Sequence, residues 1–171
     1  MVLWLVGLSG AGKSSIARAL EAQWPSTRPT PLVVDGDDVR MAFGGGDSQS
    51  DHSVADRRSN AERINGLVRW LDSQGKDVVV AVLSIFPDLL VQNRLQFKRY
   101  VEIYLSASID LVESRDPRGL YAARRRGAVG NVVGVDIPFP TPQSPDLTIF
   151  MDTESRTISA IASDIIQRFV D

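Results

Sequence analysis

Residues 7–14 read Gly7-Leu8-Ser9-Gly10-Ala11-Gly12-Lys13-Ser14, the spacing G-x-x-x-x-G-K-S. Glycines so placed let successive backbone N–H groups curl inward around an anion. A helix opening at the end of the loop aims its positive end at the same charge. An ammonium at Lys13 can reach the outer phosphates of a nucleoside triphosphate, and the Ser14 hydroxyl can hold Mg²⁺. The flanks agree: the apolar run of residues 2–6 precedes the loop, and Ile16, Ala17, Ala19 and Leu20 follow at helical spacing. Residues 7–14 together with Ser15 are therefore expected to bind ATP and Mg²⁺.

Phosphoryl transfer needs charge neutralisation on the moving group and an acceptor for the proton of the attacking hydroxyl. Asp35 and Asp37, separated by Gly36, are the candidates for the second task, and Asp35 also for holding Mg²⁺ beside Ser14. The bland reading is a polar turn after a strand, because Asp-Gly is ordinary turn chemistry. Arg40 follows on the next turn and could meet an anionic substrate. Asp56, Asn60 and Arg63 fall at i, i+4 and i+7 of the next helical segment, with Arg57 beside them. They read either as a binding face or as a solvated, ion-paired one. His52, the single histidine, lies in a polar loop and has no second histidine to share a metal.

These groups need strands and helices to bring them together. Helices are expected over residues 13–24, 56–74 and 87–97, with shorter ones near 39–43 and 110–115. Residues 32–34, 78–83, 100–105 and 147–151 read as buried strands beside the first. A last helix, capped by Asp152 or Thr153, carries Ile158, Ile161, Ala162, Ile165 and Phe169 on one face. Strands alternating with helices predict an α/β fold with a five-stranded parallel sheet, whose ligands lie at the carboxyl ends of the strands. Residues 116–146 break the pattern: arginines at 118, 124, 125 and 126 and prolines at 138, 140, 142 and 145 suggest an irregular, arginine-rich lid arm.

The chain has 171 residues, 43% of them hydrophobic, which suits a single domain spanning 1–171 with a sizeable core. A net charge of −2 offers no general attraction to nucleic acid or anionic membrane. There is no cysteine, hence no disulfide and no thiolate chemistry. No run approaches the ~18 apolar residues of a membrane span, and a cytoplasmic protein is the expectation.

Taken together, the motifs resemble those of the adenylylsulfate (APS) kinases. Residues 7–17 look like that family's opening, Asp35-Gly-Asp-Asp-Val-Arg40 resembles its Asp-Gly-Asp-Asn-Val-Arg motif, and Arg115-Asp-Pro-Arg-Gly-Leu-Tyr121 resembles its lid motif. Gly134-Val-Asp-Ile-Pro138 resembles a further segment. The resemblance implies a P-loop kinase fold, a homodimer, and transfer of the γ-phosphoryl group of MgATP to the 3′-hydroxyl of adenylylsulfate. It implies that Asp37, Asp35 and Lys13 act in catalysis and that Arg115 joins the loop in binding ATP. It assigns Arg40, Arg57, Asn60, Ser84, Ile85, Phe86, Arg118, Gly119 and Leu120 to the nucleotide acceptor.

The sequence departs from the family where two phenylalanines are expected to sandwich the acceptor's adenine: His52 and Val132 stand there instead. After the third strand, Ile85 and Pro87 replace the family's Pro and Arg. Stacking contributes about 1–3 kcal/mol per base, so an altered acceptor is a second expectation. Cytidine diphosphoramidate kinases of capsule biosynthesis resemble the APS kinases and accept a cytidine compound. A nucleotide-binding module without transfer is the reading of another class.

Overall fold

The computed structural model describes residues 1–43 and 53–170. Strands β1 (Val2–Gly7), β2 (Leu32–Asp35), β3 (Val78–Val82), β4 (Tyr100–Ser106) and β5 (Leu147–Phe150) form one sheet in the order β2-β3-β1-β4-β5. Every neighbouring pair is parallel. Among the described residues the helices are α1 (Lys13–Ala22), α2 (Gly36–Ala42), α3 (Val54–Ser73), α4 (Pro87–Gln96), α5 (Ile109–Arg115), α6 (Leu120–Arg125) and α7 (Ile158–Phe169).

The period of two along β1 explains its unbroken apolar run. Leu3 and Leu5 point to one face, where Ile16 and Leu20 of α1 and Ile161 and Ile165 of α7 cover them. Val2, Trp4 and Val6 point to the other, against Ile64 and Val68 of α3 and Leu90 of α4. Both faces are buried, so each strand residue must be apolar. The chain leaves β1 into α1 on one face and leaves β3 into α4 on the other. A crevice opens where neighbouring strands send their connections to opposite faces. Here it lies beyond the carboxyl ends of β1 and β3, with β2 delivering Asp35 beside it.

Three expectations are corrected. The short helix begins at Gly36 rather than near residue 39, because Asp35 caps it by accepting from the Asp37 N–H at 3.0 Å. The last helix is capped by Thr157, not by Asp152 or Thr153: the Asp152 carboxylate is taken by the Ser108 backbone N–H, at 2.9 Å, and by the Ser108 hydroxyl. The arm over residues 116–146 is irregular for most of its length but is more ordered than expected. It contains α6 and a bridge between Val133 and Ile137, and Asp136 ties it together by accepting from Arg124 Nη2 at 2.6 Å and the Val132 N–H at 2.9 Å.

Candidate active site

The phosphate loop sits at the carboxyl end of β1, where the backbone runs close to β4. A Cβ on Gly7 would lie 2.7 Å from the Leu105 carbonyl oxygen, so only glycine fits there. Gly12 caps α1 with φ of 101°, a left-handed conformation that aims the following N–H groups into the crevice. Leu8 and Ala11 are buried under the loop and hold it to the core. Ser9, Gly10, Gly12, Lys13, Ser14 and Ser15 line a cleft of about 950 Å³, within the usual range for a small-molecule site.

Lys13 Nζ donates to the Leu8 carbonyl at 2.8 Å, which holds the ammonium over the loop. Burial lowers its pKa to about 8; the negative charges of Asp37 and Asp35 oppose that shift and the Arg118 guanidinium adds to it. A triphosphate bound on the loop adds negative charge and restores the ammonium toward its ordinary value. Nucleotide binding above pH 8 is thus accompanied by proton uptake, so affinity for ATP falls as pH rises through about 8. Titration calorimetry between pH 6.5 and 9.5 should find a flat affinity below neutrality, a decline above pH 8, and no such decline in Lys13→Ala. For folding the sign is opposite: between about 8 and the 10.5 of an exposed lysine the unfolded chain binds more protons, so unliganded stability rises with pH.

The two aspartates are differently engaged. Asp35 accepts from the Ser14 hydroxyl at 2.5 Å and from the Asp37 N–H, so its oxygens face the loop and the start of α2. The Asp37 carboxylate instead faces the cleft, 40% exposed, where Arg118 pairs with one oxygen and Arg40 lies 3.5 Å from the other. Arg57 comes in from α3 and donates to the Asn131 carbonyl at 2.9 Å. Burial and the nearby Arg40 charge both push the Arg57 pKa down, and Asp37 opposes them. Two guanidiniums drawn this close form a binding site for an anion.

Most of the residues expected at the site do meet here. Arg40, Arg57, Asn60, Ser84, Arg115, Arg118, Gly119 and Leu120 all line the same cleft as the loop and the aspartates. Asp56 and Arg63 do not share the inner face with Asn60: both are exposed, and Arg63 lies over the Phe43 ring at 5.2 Å. Ile85 and Phe86 turn away from the cleft. Ile85 packs against the core, and Phe86 stands before α4 under the Arg58 guanidinium, 5.1 Å from its ring centre. Val132 is 2% exposed and part of the core; Val129 and Val133 line the cleft in its place. His52 lies outside the described residues.

Among the lining residues that escaped the sequence reading, three stand out. Tyr121 is buried and donates from its hydroxyl to the Ser9 carbonyl at 3.1 Å, pinning the arm to the phosphate loop. It ends the lid motif, so its place in that motif was the available signal. Trp4 and Asn65 also reach the cleft, but strand and helix periodicity make them ordinary packing or surface residues, with nothing in the pattern to mark them.

Comparison with known proteins agrees with this geometry. The adenylylsulphate kinase family model matches residues 1–150. An adenylyl-sulfate kinase of Oceanobacillus iheyensis is 34% identical over 172 residues, covering 99% of this chain and 84% of that protein. The structure of the Mycobacterium tuberculosis APS kinase in complex with AMPPNP and APS superposes with a TM-score of 0.83 at 29% identity, covering 97% of this chain and 95% of that one. Shikimate kinase from Acinetobacter baumannii, at 15% identity and a TM-score of 0.61, covers 98% of this chain and 91% of its own and shares the fold. A crevice that joins a phosphate loop to paired aspartates and arginines, on a chain matched over most of its length, has one assignment: the protein belongs to the adenylylsulfate kinase family.

Proposed function

We propose that the protein transfers the γ-phosphoryl group of MgATP to the ribose 3′-hydroxyl of adenylylsulfate. The observation that carries this reading is the position of Asp37. Its carboxylate faces the cleft between the Lys13 side and the Arg40 and Arg118 guanidiniums, so a donor on the loop and an anionic acceptor on the arginines would meet across it. The loop N–H groups and Lys13 hold the phosphates. Asp37 accepts the hydrogen bond of the attacking hydroxyl and takes its proton as the phosphoryl group moves. Arg40, Arg57 and Arg118 grip the anionic tail and keep the hydroxyl in line.

The paired Ser14 hydroxyl and Asp35 carboxylate are hard oxygen donors, which fit Mg²⁺ held by few protein ligands and by phosphate oxygens. Such an ion spreads the charge that develops on the phosphates. Arg115, Gly119 and Leu120 belong to an arm that, in this reading, closes over both substrates and excludes water. A cytoplasmic location and a homodimer are part of the same proposal, and the homodimer rests on the family resemblance. Among the described residues no helix is long and apolar enough to cross a membrane.

A second reading keeps the chemistry and changes the acceptor to a cytidine compound such as cytidine diphosphoramidate. It is supported by Val132, which is buried in the core and carries no ring where the resemblance expects one for an adenine. Release of ADP, measured with adenylylsulfate and with cytidine diphosphoramidate at equal concentration, separates the two. Turnover of adenylylsulfate is the expected result. Turnover of the cytidine compound alone would replace the acceptor, and no release with either would favour a binding module.

A further inference from the structure

The arm rests on the phosphate loop at two places. The Tyr121 hydroxyl donates to the Ser9 carbonyl at 3.1 Å, and Tyr121 itself is 1% exposed. Further along, the arm's backbone lies against Leu8: a Cβ on Gly134 would stand 3.0 Å from Leu8 Cδ2 and 2.6 Å from Ile109 Cδ1. On its other side the same arm meets the groups that the reading above gives to the acceptor. Arg118 pairs with Asp37, and the Asn131 carbonyl accepts from Arg57 at 2.9 Å.

Arg118 and Tyr121 belong to one stiff turn. The Asp116 carboxylate accepts from the Tyr121 N–H at 3.2 Å and from the Ala122 N–H at 2.9 Å, and the Asp116 carbonyl accepts from the Gly119 N–H at 3.0 Å. These bonds close residues 116–122 on themselves, so a shift of Tyr121 carries Arg118 with it. The Arg118 side chain is 61% exposed and depends on that turn for its place. A single piece thus spans from Ser9 of the donor loop to Asp37.

The bond at Ser9 is placed to respond to phosphate. The Ser9 carbonyl and the Gly10 N–H belong to one trans peptide and point in opposite directions. The carbonyl is turned to Tyr121, so the N–H is turned away from it, and both residues line the cleft. A loop of this spacing presents such N–H groups to phosphate oxygens. An anion on the N–H polarises the peptide and makes its carbonyl a better acceptor, as along any chain of hydrogen bonds.

We propose that Tyr121 is a positioning residue that couples the two halves of the site: a triphosphate on the loop acts through the Ser9–Gly10 peptide and the Tyr121 hydroxyl to set Arg118, and so raises affinity for the anionic acceptor. The inference rests on the nucleotide-acceptor reading above and adds the group through which donor and acceptor sense each other. Such coupling is reciprocal, so the acceptor tightens the donor by the same factor.

The test measures, by calorimetry on the full chain with Mg²⁺, the affinity for adenylylsulfate and for cytidine diphosphoramidate, with the loop empty and with it saturated by AMPPNP. For the acceptor that binds, filling the loop is expected to tighten binding at least ~5-fold in the wild-type protein. Tyr121→Phe keeps the ring and loses the hydroxyl. Checked for folding by thermal melting, it should reduce the enhancement to about twofold or less, while its affinity for AMPPNP alone changes by about threefold or less. A ring that only fills space would leave the enhancement intact. Arg118→Ala should remove the enhancement as well, and the double variant should lose no more than Arg118→Ala alone, because the two act in series. No enhancement in the wild type, an enhancement that survives in Tyr121→Phe, or additive losses in the double variant overturn the proposal. Transfer is scored separately by ADP release. Transfer without enhancement refutes the coupling and leaves the kinase reading standing; an enhancement that needs the Tyr121 hydroxyl, with no ADP release, does the reverse. Binding of neither acceptor overturns both.

Discussion

Lys13→Ala is expected to lower kcat by about 10²–10³-fold, the usual loss when one preorganised donor to a developing negative charge is removed. The case rests on how the side chain is held. Its ammonium is anchored to the Leu8 carbonyl at 2.8 Å and is flanked by the charges of Asp35, Asp37 and Arg118. It is therefore fixed before ATP arrives, and its stabilisation of the transferred group costs little reorganisation. Burial disfavours the charged form in the unliganded protein, as its lowered pKa records. Deleting the ammonium should then leave the melting temperature of the unliganded protein unchanged or raised, even as activity collapses. Steady-state kinetics and a thermal melt check both halves. Full transfer by the variant would remove Lys13 from the mechanism, and a large drop in melting temperature would instead assign it a structural role.

The parts of the molecule that were legible in the sequence are those where a local pattern and a physical need coincide. The phosphate loop is one. Gly7 must be glycine because Leu105 leaves no room, and Gly12 because its backbone is left-handed; those needs recur at fixed spacing and can be read directly. The alternation along the central strands is another, since burial on two faces tolerates only apolar residues. The order within the arm was not legible for the opposite reason. Its order comes from Asp136 gathering Arg124 and the Val132 N–H, contacts within the arm that no hydrophobic periodicity announces. Val132 was aligned with a family position by spacing alone, but spacing does not say which of the valines at 129, 132 and 133 face the cleft. The cap of α7 was missed because Asp152 has a competing partner, Ser108, that is remote in sequence. Trp4 and Asn65 stayed invisible as cleft residues because their meeting depends on how α3 lies across the sheet.

The second large effect concerns the two aspartates, which the sequence offers alike as proton acceptors and the structure engages differently. Asp37→Asn is expected to lower kcat by about 10²–10⁴-fold, the range for loss of a positioned proton acceptor. An amide there keeps the size of the group and can still accept a hydrogen bond, but it cannot take the proton. It also strips the countercharge from Arg40 and Arg118, both paired with Asp37. Binding of an anionic acceptor should therefore be maintained or tightened while transfer fails. Asp35→Asn should behave differently, because that carboxylate is bonded to Ser14 and to the cap of α2 rather than turned to the acceptor. Its loss is expected to raise the Mg²⁺ concentration needed for half-maximal rate and to be partly recovered at high Mg²⁺. Rates measured across a Mg²⁺ series for both variants decide the matter. Recovery in Asp37→Asn and none in Asp35→Asn would exchange the two roles, because the group that extra metal can compensate is the one that was holding metal.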